Sequence, residues 1–171
     1  MLGYMSTITK EALNDRYAKL RFLIGEYDVV AYNSVESNAW IKAGTGTASY
    51  SLEDSFITEK VEIFRKNSVI SMLNTIGCDV EKDTFNMQTL DYTSGIMDIF
   101  KGTINNDILI FCNNDSVIKT KNEFGDSFKF KLIYKQLSLN ENELVVGCSK
   151  DDGKTWFPFI KNIYKRKNIV Y

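Results

Sequence analysis

The sequence predicts an all-β protein: a single closed, up-and-down antiparallel β-barrel of about ten strands with one short N-terminal helix. The chain is rich in aromatic residues, with 11 Phe, 9 Tyr and 2 Trp, and these residue types favour pleated, half-buried strands. The connections between strand-like runs are too short to hold a crossover helix, so neighbouring strands should pair antiparallel. Ten such strands in an open sheet would leave exposed edges, which closure into a barrel removes.

The chain is expected to form one domain over residues 1–171, with the helix at 9–24 and the barrel at 26–166. A chain of 171 residues is long enough to bury a full core. Its one proline and ten glycines leave no room for a flexible linker. We therefore expect a single β-barrel domain.

Residues 9–24 carry a helical pattern. Their apolar stripe consists of Leu13, Tyr17, Leu20 and Ile24. This spacing places the four side chains on one helix face. Thr9 is a suitable N-cap and Gly25 a suitable stop. Because one amphipathic helix cannot form a core with itself, we expect it to cover or plug the barrel.

The β pattern begins at Glu26 and continues to Arg166. Two runs rich in β-branched and aromatic residues flank Asp151-Asp152-Gly153, which is a strong hairpin signal. Turn-forming clusters at 81–83, 105–107, 123–126 and 140–142 separate other runs. The predicted strands cover 26–33, 40–51, 56–66, 69–78, 84–91, 95–103, 107–113, 116–122, 127–138, 143–150 and 154–166.

Alternation of residue types is clearest at 128–135. One parity holds Phe128, Phe130, Leu132 and Tyr134, and the other holds Lys129, Lys131, Ile133 and Lys135. We expect the aromatic parity to face the interior and the lysine parity to face solvent. At 56–64 polar residues occur on both parities, which is typical of a wide barrel with a partly polar interior. Small residues at 43–50 indicate a strand that is sharply bent or closely approached.

The charge balance argues against nucleic-acid binding. Lys and Arg number 21 against 22 Asp and Glu, giving a net charge of −1, whereas nucleic-acid surfaces normally rest on a basic stripe. The locally basic end consists of Lys161, Lys165, Arg166 and Lys167. We interpret it as a solvated strand face.

The absence of histidine removes the commonest metal ligand and general base, so we expect neither a metal nor a cofactor. Cys78, Cys112 and Cys148 are odd in number and widely spaced, which suits reduced thiols better than disulfides or a zinc site. No signal peptide or apolar membrane span is evident. A cytoplasmic location is expected.

Five short motifs resemble a known family. They are Leu23-Ile24-Gly25-Glu26-Tyr27, Leu90-Asp91-Tyr92-Thr93-Ser94-Gly95, Phe100-Lys101-Gly102-Thr103, the segment 149–156 and Tyr164-Lys165-Arg166. Together they resemble the bacterial domain-of-unknown-function 1579 family over about 20–167. That family is similar to the calycin group of lipocalin and fatty-acid-binding barrels, which implies a lipocalin-like cup for an apolar ligand. The resemblance implies no activity.

Calycins typically place a Gly-x-Trp motif on the first strand, with an arginine from the last strand across the tryptophan. Here Gly25-Glu26-Tyr27 puts tyrosine in that position, and Arg166 is the matching arginine. The resemblance implies that Arg166 stacks on Tyr27 and closes the barrel floor, at about 0.5–2 kcal/mol. We interpret Gly25, Tyr27 and Arg166 as structural residues.

The segment 149–156 also fits the Asp-box pattern Ser-x-Asp-x-Gly-x-x-Trp of sialidase propeller blades. Ser149 and Asp151 are suited to bond turn amides, and Gly153 supplies a positive φ. A propeller would need repeats of this pattern about every 40–50 residues, and none is present. Ser149, Asp151 and Gly153 are therefore expected to be structural.

No catalytic residue is predicted. The carboxylate pairs Glu53/Asp54, Glu59/Glu62 and Asp151/Asp152 are expected to be solvated, because a glycosidase needs facing carboxyls at a defined separation. Cys112 and Cys148 lack the histidine partner that a thiol nucleophile normally needs.

The remaining candidates are aromatic side chains that would either line a cavity or fill it: Trp40, Tyr50, Phe100, Phe111, Phe128, Phe130, Tyr134 and Trp156. Eight strands would be filled by side chains, whereas ten leave space. The favoured hypothesis is a carrier or sensor of a small, largely apolar ligand. The alternatives are a lyase- or isomerase-type enzyme that uses a cavity tyrosine and carboxylate, and an interaction module that forms a homodimer.

Overall fold

The structure, a computed structural model, describes residues 10–35, 39–79, 81–116, 120–121 and 125–167, with side chains described from residue 14 onward except at 121. Helix α1 spans Lys10–Ala18, and a 3-10 turn follows at Arg21–Leu23. The strands are β1 Gly25–Ser34, β2 Trp40–Glu53, β3 Phe56–Arg65, β4 Val69–Asp79, β5 Thr84–Asp91, β6 Ile96–Asn105, β7 Ile108–Cys112, β8 Thr120–Lys121, β9 Ser127–Ser138, β10 Glu141–Ser149 and β11 Phe157–Arg166.

Within these ranges, ten strands close into one antiparallel barrel. The order runs from β10 through β11, β1 to β7 and β9, and β9 pairs back with β10. Every barrel strand is therefore paired on both sides, which confirms the predicted fold class. The short β8 pairs with β9 outside the barrel. Of the predicted strand 116–122, only 120–121 is described as a strand, and 117–119 and 122 lie outside the described residues.

Helix α1 and the 3-10 turn lie at the end of the barrel where β1 begins. Leu20 and Leu23 are fully buried there, and the Tyr17 hydroxyl donates a 2.5 Å hydrogen bond to the Ser55 carbonyl before β3. We call this end the closed end and the opposite end the open end. Helix α1 ends at Ala18 rather than at the predicted residue 24, because Leu20 leaves the helical conformation and the chain continues as the 3-10 turn to the extended Ile24. The predicted N-cap, Thr9, lies outside the described residues.

The small residues of β2 let β3 approach closely. Gly44 pairs with Arg65, and Gly46 pairs with Ile63. A Cβ on Gly46 would lie 2.7 Å from the Ile63 Cα and would overlap the carbonyl oxygen of Glu62. This geometry confirms the close approach that the segment 43–50 predicted, since only glycine avoids the overlap.

Strand β9 confirms the inward aromatic parity and corrects one residue of the other parity. Leu132 and Tyr134 are buried in the core. Lys129, predicted to face solvent, is only 6% exposed. Its ammonium donates to the carbonyl oxygens of Asn113 at 3.2 Å and Ser116 at 2.8 Å. Residues 113–116, which follow β7, thus cover a lysine that local alternation placed in water.

Candidate functional site: a polar row inside the barrel

A row of polar side chains crosses five consecutive strands on the inner face of the barrel. Lateral pairing joins Tyr50 to Glu59, Glu59 to Asn74, Asn74 to Thr89 and Thr89 to Asp98. All five residues are buried, with exposures between 1% and 7%. Because barrel strands tilt, such a row climbs along the barrel axis. It runs from near the end of β2 at the closed end to near the start of β6 at the open end.

Glu59 lies in the lower part of this row. Its Oε1 accepts hydrogen bonds from the Tyr50 hydroxyl at 2.6 Å and the Tyr164 hydroxyl at 3.4 Å, and its Oε2 accepts from Asn74 Nδ2 at 2.6 Å. Burial raises the pKa of the Glu59 carboxyl, and these hydrogen bonds oppose the rise. Burial, followed by the Glu59 charge, raises the pKa of the Tyr50 and Tyr164 hydroxyls well above 10.0. Both tyrosines therefore remain hydrogen-bond donors to the carboxylate.

Four polar atoms of the core find no hydrogen-bond partner among the described residues. They are Asn74 Oδ1, Thr89 Oγ1, the Tyr134 hydroxyl and Asn162 Oδ1. Asn162 lies on β11, on the same face as the buried Tyr164. The Asn74 amide nitrogen is committed to Glu59, so its oxygen is the atom left over. Buried polar atoms normally have a partner, so these four atoms mark a place where another polar group is needed.

The upper end of the row is a second hydrogen-bonded cluster. The Asp98 carboxylate accepts from Asn113 Nδ2 and from the Ser116 hydroxyl, each at 2.6 Å. The backbone carbonyls of Asn113 and Ser116 in turn accept from the Lys129 ammonium. A buried anion and a buried cation are thus linked through two intervening residues, and each has hydrogen-bond partners that offset its desolvation.

The floor of the barrel is aromatic. Tyr27, Tyr50 and Tyr164 pack edge to face, with ring centroids 5.9 to 6.0 Å apart. Arg166 lies with its guanidinium carbon 5.0 Å from the Tyr27 ring centroid. Its nitrogens donate to the Tyr27 hydroxyl at 2.8 Å and to the carbonyl oxygens of Phe22 and Ile24. Arg166 therefore links the last strand to the 3-10 turn and to the start of β1.

The structure separates the eight aromatic candidates into three groups. Four are buried in the interior: Tyr50, Phe100, Phe111 and Tyr134. Two more, Phe128 and Phe130, share the inward parity of β9 towards the open end and are half-buried. Burial and the Glu59 charge also raise the pKa of the Tyr134 hydroxyl well above 10.0.

The two tryptophans correct the prediction, because both lie on the outer face of the barrel. The Lys161 ammonium lies over the rings of Trp40, at 4.7 Å, and of the outward-facing Tyr32. Trp156 packs beside Gly147, and the Lys131 ammonium lies 4.4 Å from its ring centroid. Neither tryptophan therefore lines the interior.

The Asp-box segment forms a hydrogen-bonded turn. Ser149 Oγ donates to Asp151 Oδ1 and accepts from the Gly153 amide at 2.9 Å. The Asp151 carboxylate accepts from the Thr155 amide and hydroxyl, and these bonds hold the pKa of Asp151 well below 3.8. Gly153 has φ +87°, and a Cβ at this position would lie 2.9 Å from the Asn114 side chain, so glycine suits both the backbone angle and the space.

Sequence reasoning missed most of the polar row. The sequence predicts a solvated pair at Glu59 and Glu62, but Glu62 is exposed and Glu59 is buried. The contribution of Asn74, Thr89 and Asp98 was not foreseen. All three cysteines are half-buried, and no disulfide joins them within the described ranges. In the same part of the chain, no three His, Cys, Asp or Glu side chains converge.

Two clefts open on the barrel wall. One, of about 340 Å³, is bordered by β1 to β4, and the other, of about 460 Å³, lies between α1 and β4 to β6. The first is lined largely by polar side chains such as Glu26, Lys60 and Glu62. This lining fits a wet surface better than an apolar ligand site. None of the described helices is long and apolar enough to cross a bilayer.

Comparison with known proteins supports the fold alone. No protein-family model and no curated protein match the chain. Among solved structures, the crystal structure of Rv2717c from M. tuberculosis matches with a TM-score of 0.62 and 11% identity, over 90% of this chain and 98% of that chain. A redesigned β-barrel matches with a TM-score of 0.45 and 12% identity, over 86% and 94%. The complex of EF1p2_mFAP2b with DFHBI matches with a TM-score of 0.45 and 9% identity, over 87% and 97%.

Proposed function

We propose that the barrel binds a small, largely apolar molecule in its interior, entered from the open end. The observation that carries this proposal is a set of buried, inward-facing atoms that lack a partner in the described part of the chain: Asn74 Oδ1, Thr89 Oγ1, the Tyr134 hydroxyl and Asn162 Oδ1. Each such atom costs about 1–3 kcal/mol when it stays unpaired. A bound molecule that supplies a polar group would remove part of that cost.

The remaining interior fits an apolar body. The rings of Phe100 and Phe111 and the side chain of Leu132 are buried on the inner face, and Phe130 and Val146 pack against this core. Apolar walls with a few placed polar groups are typical of small-molecule sites. Ten strands also leave more interior space than eight.

Two further expectations belong to this proposal. The contact of Arg166 with Tyr27 supports a place for the chain in the domain-of-unknown-function 1579 family and its calycin relatives. The three cysteines, unpaired within the described ranges, support a reducing cytoplasm. We propose no nucleic-acid or membrane partner, and a homodimer stays a prediction that analytical ultracentrifugation tests.

The experiment compares protein taken straight from the expressing cell with a variant whose interior is filled. Native mass spectrometry of the wild type is expected to show an additional small-molecule mass, and the emptied protein should bind a hydrophobic fluorescent probe. Thr89→Phe places a ring in the interior and should abolish both signals. Thr103→Phe, at an exposed position on the outer face of β6, should leave them unchanged.

Two outcomes contradict the proposal. If the wild-type protein shows no additional small-molecule mass and does not bind the fluorescent probe, its interior is not accessible to a ligand. Equal binding by wild type and by Thr89→Phe, with circular dichroism showing the same fold, places the site outside the barrel.

A second candidate is an enzyme that uses Glu59 for proton transfer, which the raised pKa of this buried carboxyl favours. Each Glu59 oxygen already accepts a hydrogen bond, and this geometry fits an orienting role better than proton abstraction. If Glu59→Gln abolishes turnover of a bound molecule without weakening its binding, the protein is an enzyme rather than a carrier.

A further inference from the structure

Glu59 is a buried carboxylate without a positive partner in the described part of the chain. Its two oxygens accept from Tyr50 and Asn74, and none of the ion pairs there includes it. Asp98, the other carboxylate of the polar row, is linked through intervening residues to the Lys129 ammonium. A buried charge is costly unless it is paired. Resting on the proposed binding function, we infer that the ligand carries a primary ammonium group that binds beside Glu59, on a compact aromatic body.

The unpaired atoms of the interior call for hydrogen-bond donors. Asn74 Nδ2 donates to Glu59, so the unpaired atom of this amide is its acceptor oxygen. The unpaired atom of Asn162 is also an oxygen, and the unpaired hydroxyls of Thr89 and Tyr134 are able to accept. An ammonium group has three donors and no acceptor. It therefore suits this set, whereas a ligand carboxylate offers only acceptors and meets the like charge of Glu59.

The unpaired atoms on the far strands belong to the same polar region as Glu59. Burial and then the Glu59 charge raise the pKa of the Tyr134 hydroxyl, and the Tyr50 side chain opposes this rise. Burial likewise raises the pKa of the Tyr164 hydroxyl, and the Asn162 side chain opposes that rise. Tyr50 and Tyr164 both donate to the Glu59 carboxylate. Asn162 and Tyr134 are therefore neighbours of the two tyrosines that contact the carboxylate.

Aromatic rings border this polar region. Phe100 lies two residues from Asp98 on the inner face of β6. The Phe111 ring packs edge to face with Tyr134, at a centroid distance of 6.3 Å. Aromatic side chains pack favourably against another ring, and their faces attract a cation. An aromatic amine therefore suits the walls as well as the polar atoms.

The open end carries charges of both signs. Asp98 lies near the start of β6, and its carboxylate accepts from Asn113 and Ser116. Arg65 is the last residue of β3, and its buried Nε and Nη2 meet no acceptor among the described residues. Six strand positions separate Arg65 from Glu59, which is about 20 Å along the strand. A compact amine beside Glu59 therefore does not reach Arg65, and the mixed charges leave the choice of ligand charge to Glu59.

The test uses three probes with the same ring and a two-carbon side chain: 2-phenylethylamine, 2-phenylethanol and phenylacetate. They are cationic, neutral and anionic at neutral pH. Their affinities are measured at pH 8 by isothermal titration calorimetry on the full chain, after removal of any co-purified molecule. Wild type should bind the amine about ten- to a hundredfold more tightly than the alcohol, as expected for a hydrogen bond between charged groups. Phenylacetate should bind most weakly.

Two substitutions locate the ammonium group. Glu59→Gln should bring the affinity for the amine to within about twofold of that for the alcohol, because the opposite charge is gone. Glu62→Gln, which changes an exposed carboxyl on the same strand, should leave all three affinities unchanged. Tyr134→Phe removes an unpaired acceptor and should weaken the amine about three- to tenfold. Tyr32→Phe, on the outer face of β1, is its control. Circular dichroism checks the fold of each variant.

The pH dependence gives a second readout of the contact with Glu59. The groups that face this carboxyl are Tyr50 from β2, Asn74 from β4, Tyr134 from β9 and Tyr164 from β11. The three tyrosines stay neutral, because their pKa values are raised above 10.0. Affinity for the amine should be full above the folded pKa of Glu59 and fall as pH drops through it. The alcohol, and both probes with Glu59→Gln, should show no such change.

The outcomes separate this inference from the proposed function. If 2-phenylethanol binds as tightly as 2-phenylethylamine, or if only the hydrophobic fluorescent probe binds, the ammonium group is wrong while interior binding stands. If Glu59→Gln and Glu62→Gln weaken the amine equally, the amine does not bind beside Glu59. If the three probes and the hydrophobic fluorescent probe all fail to bind, the proposed function falls with the inference.

Discussion

Glu59 and Asn74 lie directly opposite each other on β3 and β4, and the Asn74 amide donates a 2.6 Å hydrogen bond to the buried carboxylate. This bond has two consequences. It provides a hydrogen-bond donor for one oxygen of the Glu59 carboxylate, and Glu59 is only 1% exposed. A buried anion requires such a partner. The bond also orients the Asn74 amide so that its oxygen is left for another group.

The burial of Glu59 predicts an unusual pH dependence of stability. Its folded pKa is raised above 4.5, mainly by desolvation, so the folded protein holds this proton more tightly than the unfolded chain. The contribution of Glu59 to stability is therefore fully present below the unfolded pKa and is lost as pH rises through the folded pKa. Each unit of the rise corresponds to about 1.4 kcal/mol.

The variant Glu59→Gln should not show this loss of stability with rising pH. Urea unfolding between pH 4 and pH 8 is expected to show its free energy of unfolding increasing relative to wild type as pH rises. The control is Glu62→Gln, which changes an exposed carboxyl three residues along the same strand and should run parallel to wild type. A constant difference between Glu59→Gln and wild type at all pH values would mean that Glu59 has the same pKa in both states.

A second prediction concerns Arg166. Replacing it with methionine removes the contact with the Tyr27 ring and the bonds to the Tyr27 hydroxyl and the Phe22 carbonyl. We expect a loss of about 2–4 kcal/mol in the free energy of unfolding, since several charge-assisted bonds go at once. Arg166→Lys should recover only part, because one ammonium cannot reproduce the guanidinium fork.

The neighbouring Lys165→Met is the matched control, because Lys165 is exposed on the outer face of β11. Its effect should stay within about 0.5 kcal/mol. Equal unfolding free energies for Arg166→Met and Lys165→Met would remove the structural role that we assign to Arg166.

The barrel and its strands were predictable because side-chain alternation and turn chemistry are local properties. The parity of Phe128 to Tyr134 gave the inward face of β9, and the turn at 151–153 separated the last two strands. The sequence also contains a signal for the burial of Glu59. Ile57, Val61 and Ile63 share its parity, so Glu59 occupies one inward position of an otherwise apolar series.

Other features were not predictable because they depend on distant contacts. The register of β1 against β2 shifts between Ala31 and Tyr32, and Trp40 lies beyond this shift, where simple alternation no longer gives the facing direction. Trp156 precedes β11 and packs on Gly147 of β10. The burial of Lys129 depends on residues 113–116, whose position no periodicity in β9 can indicate.

A third prediction follows from Lys129. Methionine at this position removes the donor to the Asn113 and Ser116 carbonyls while it keeps the apolar stem. We expect a loss of about 1–3 kcal/mol in the free energy of unfolding, because buried acceptors lose a charged donor. The exposed Lys135→Met on the same strand should change it by less than about 0.5 kcal/mol. A more stable Lys129→Met protein would mean that desolvation of the ammonium outweighs its hydrogen bonds.

The last prediction concerns the approach of β3 to Gly46. The Cβ introduced by Gly46→Ala would overlap the Glu62 carbonyl and lie 2.7 Å from the Ile63 Cα. Because both obstacles are backbone atoms of a paired strand, the chain can accommodate the methyl group only by moving β3 away. We expect a loss of about 3 kcal/mol in the free energy of unfolding, at the upper end for overpacking.

Gly147→Ala is the matched control for this substitution. The nearest atom to a Cβ at Gly147 is the Phe157 carbonyl oxygen at 3.6 Å, an ordinary contact. The free energy of unfolding of the Gly147→Ala variant should change by no more than about 1 kcal/mol. Any increase would come from the smaller conformational freedom of alanine in the unfolded chain. If Gly46→Ala and Gly147→Ala unfold at the same urea concentration, β2 does not need glycine at position 46. In that case β3 can move away from β2 at little cost in stability.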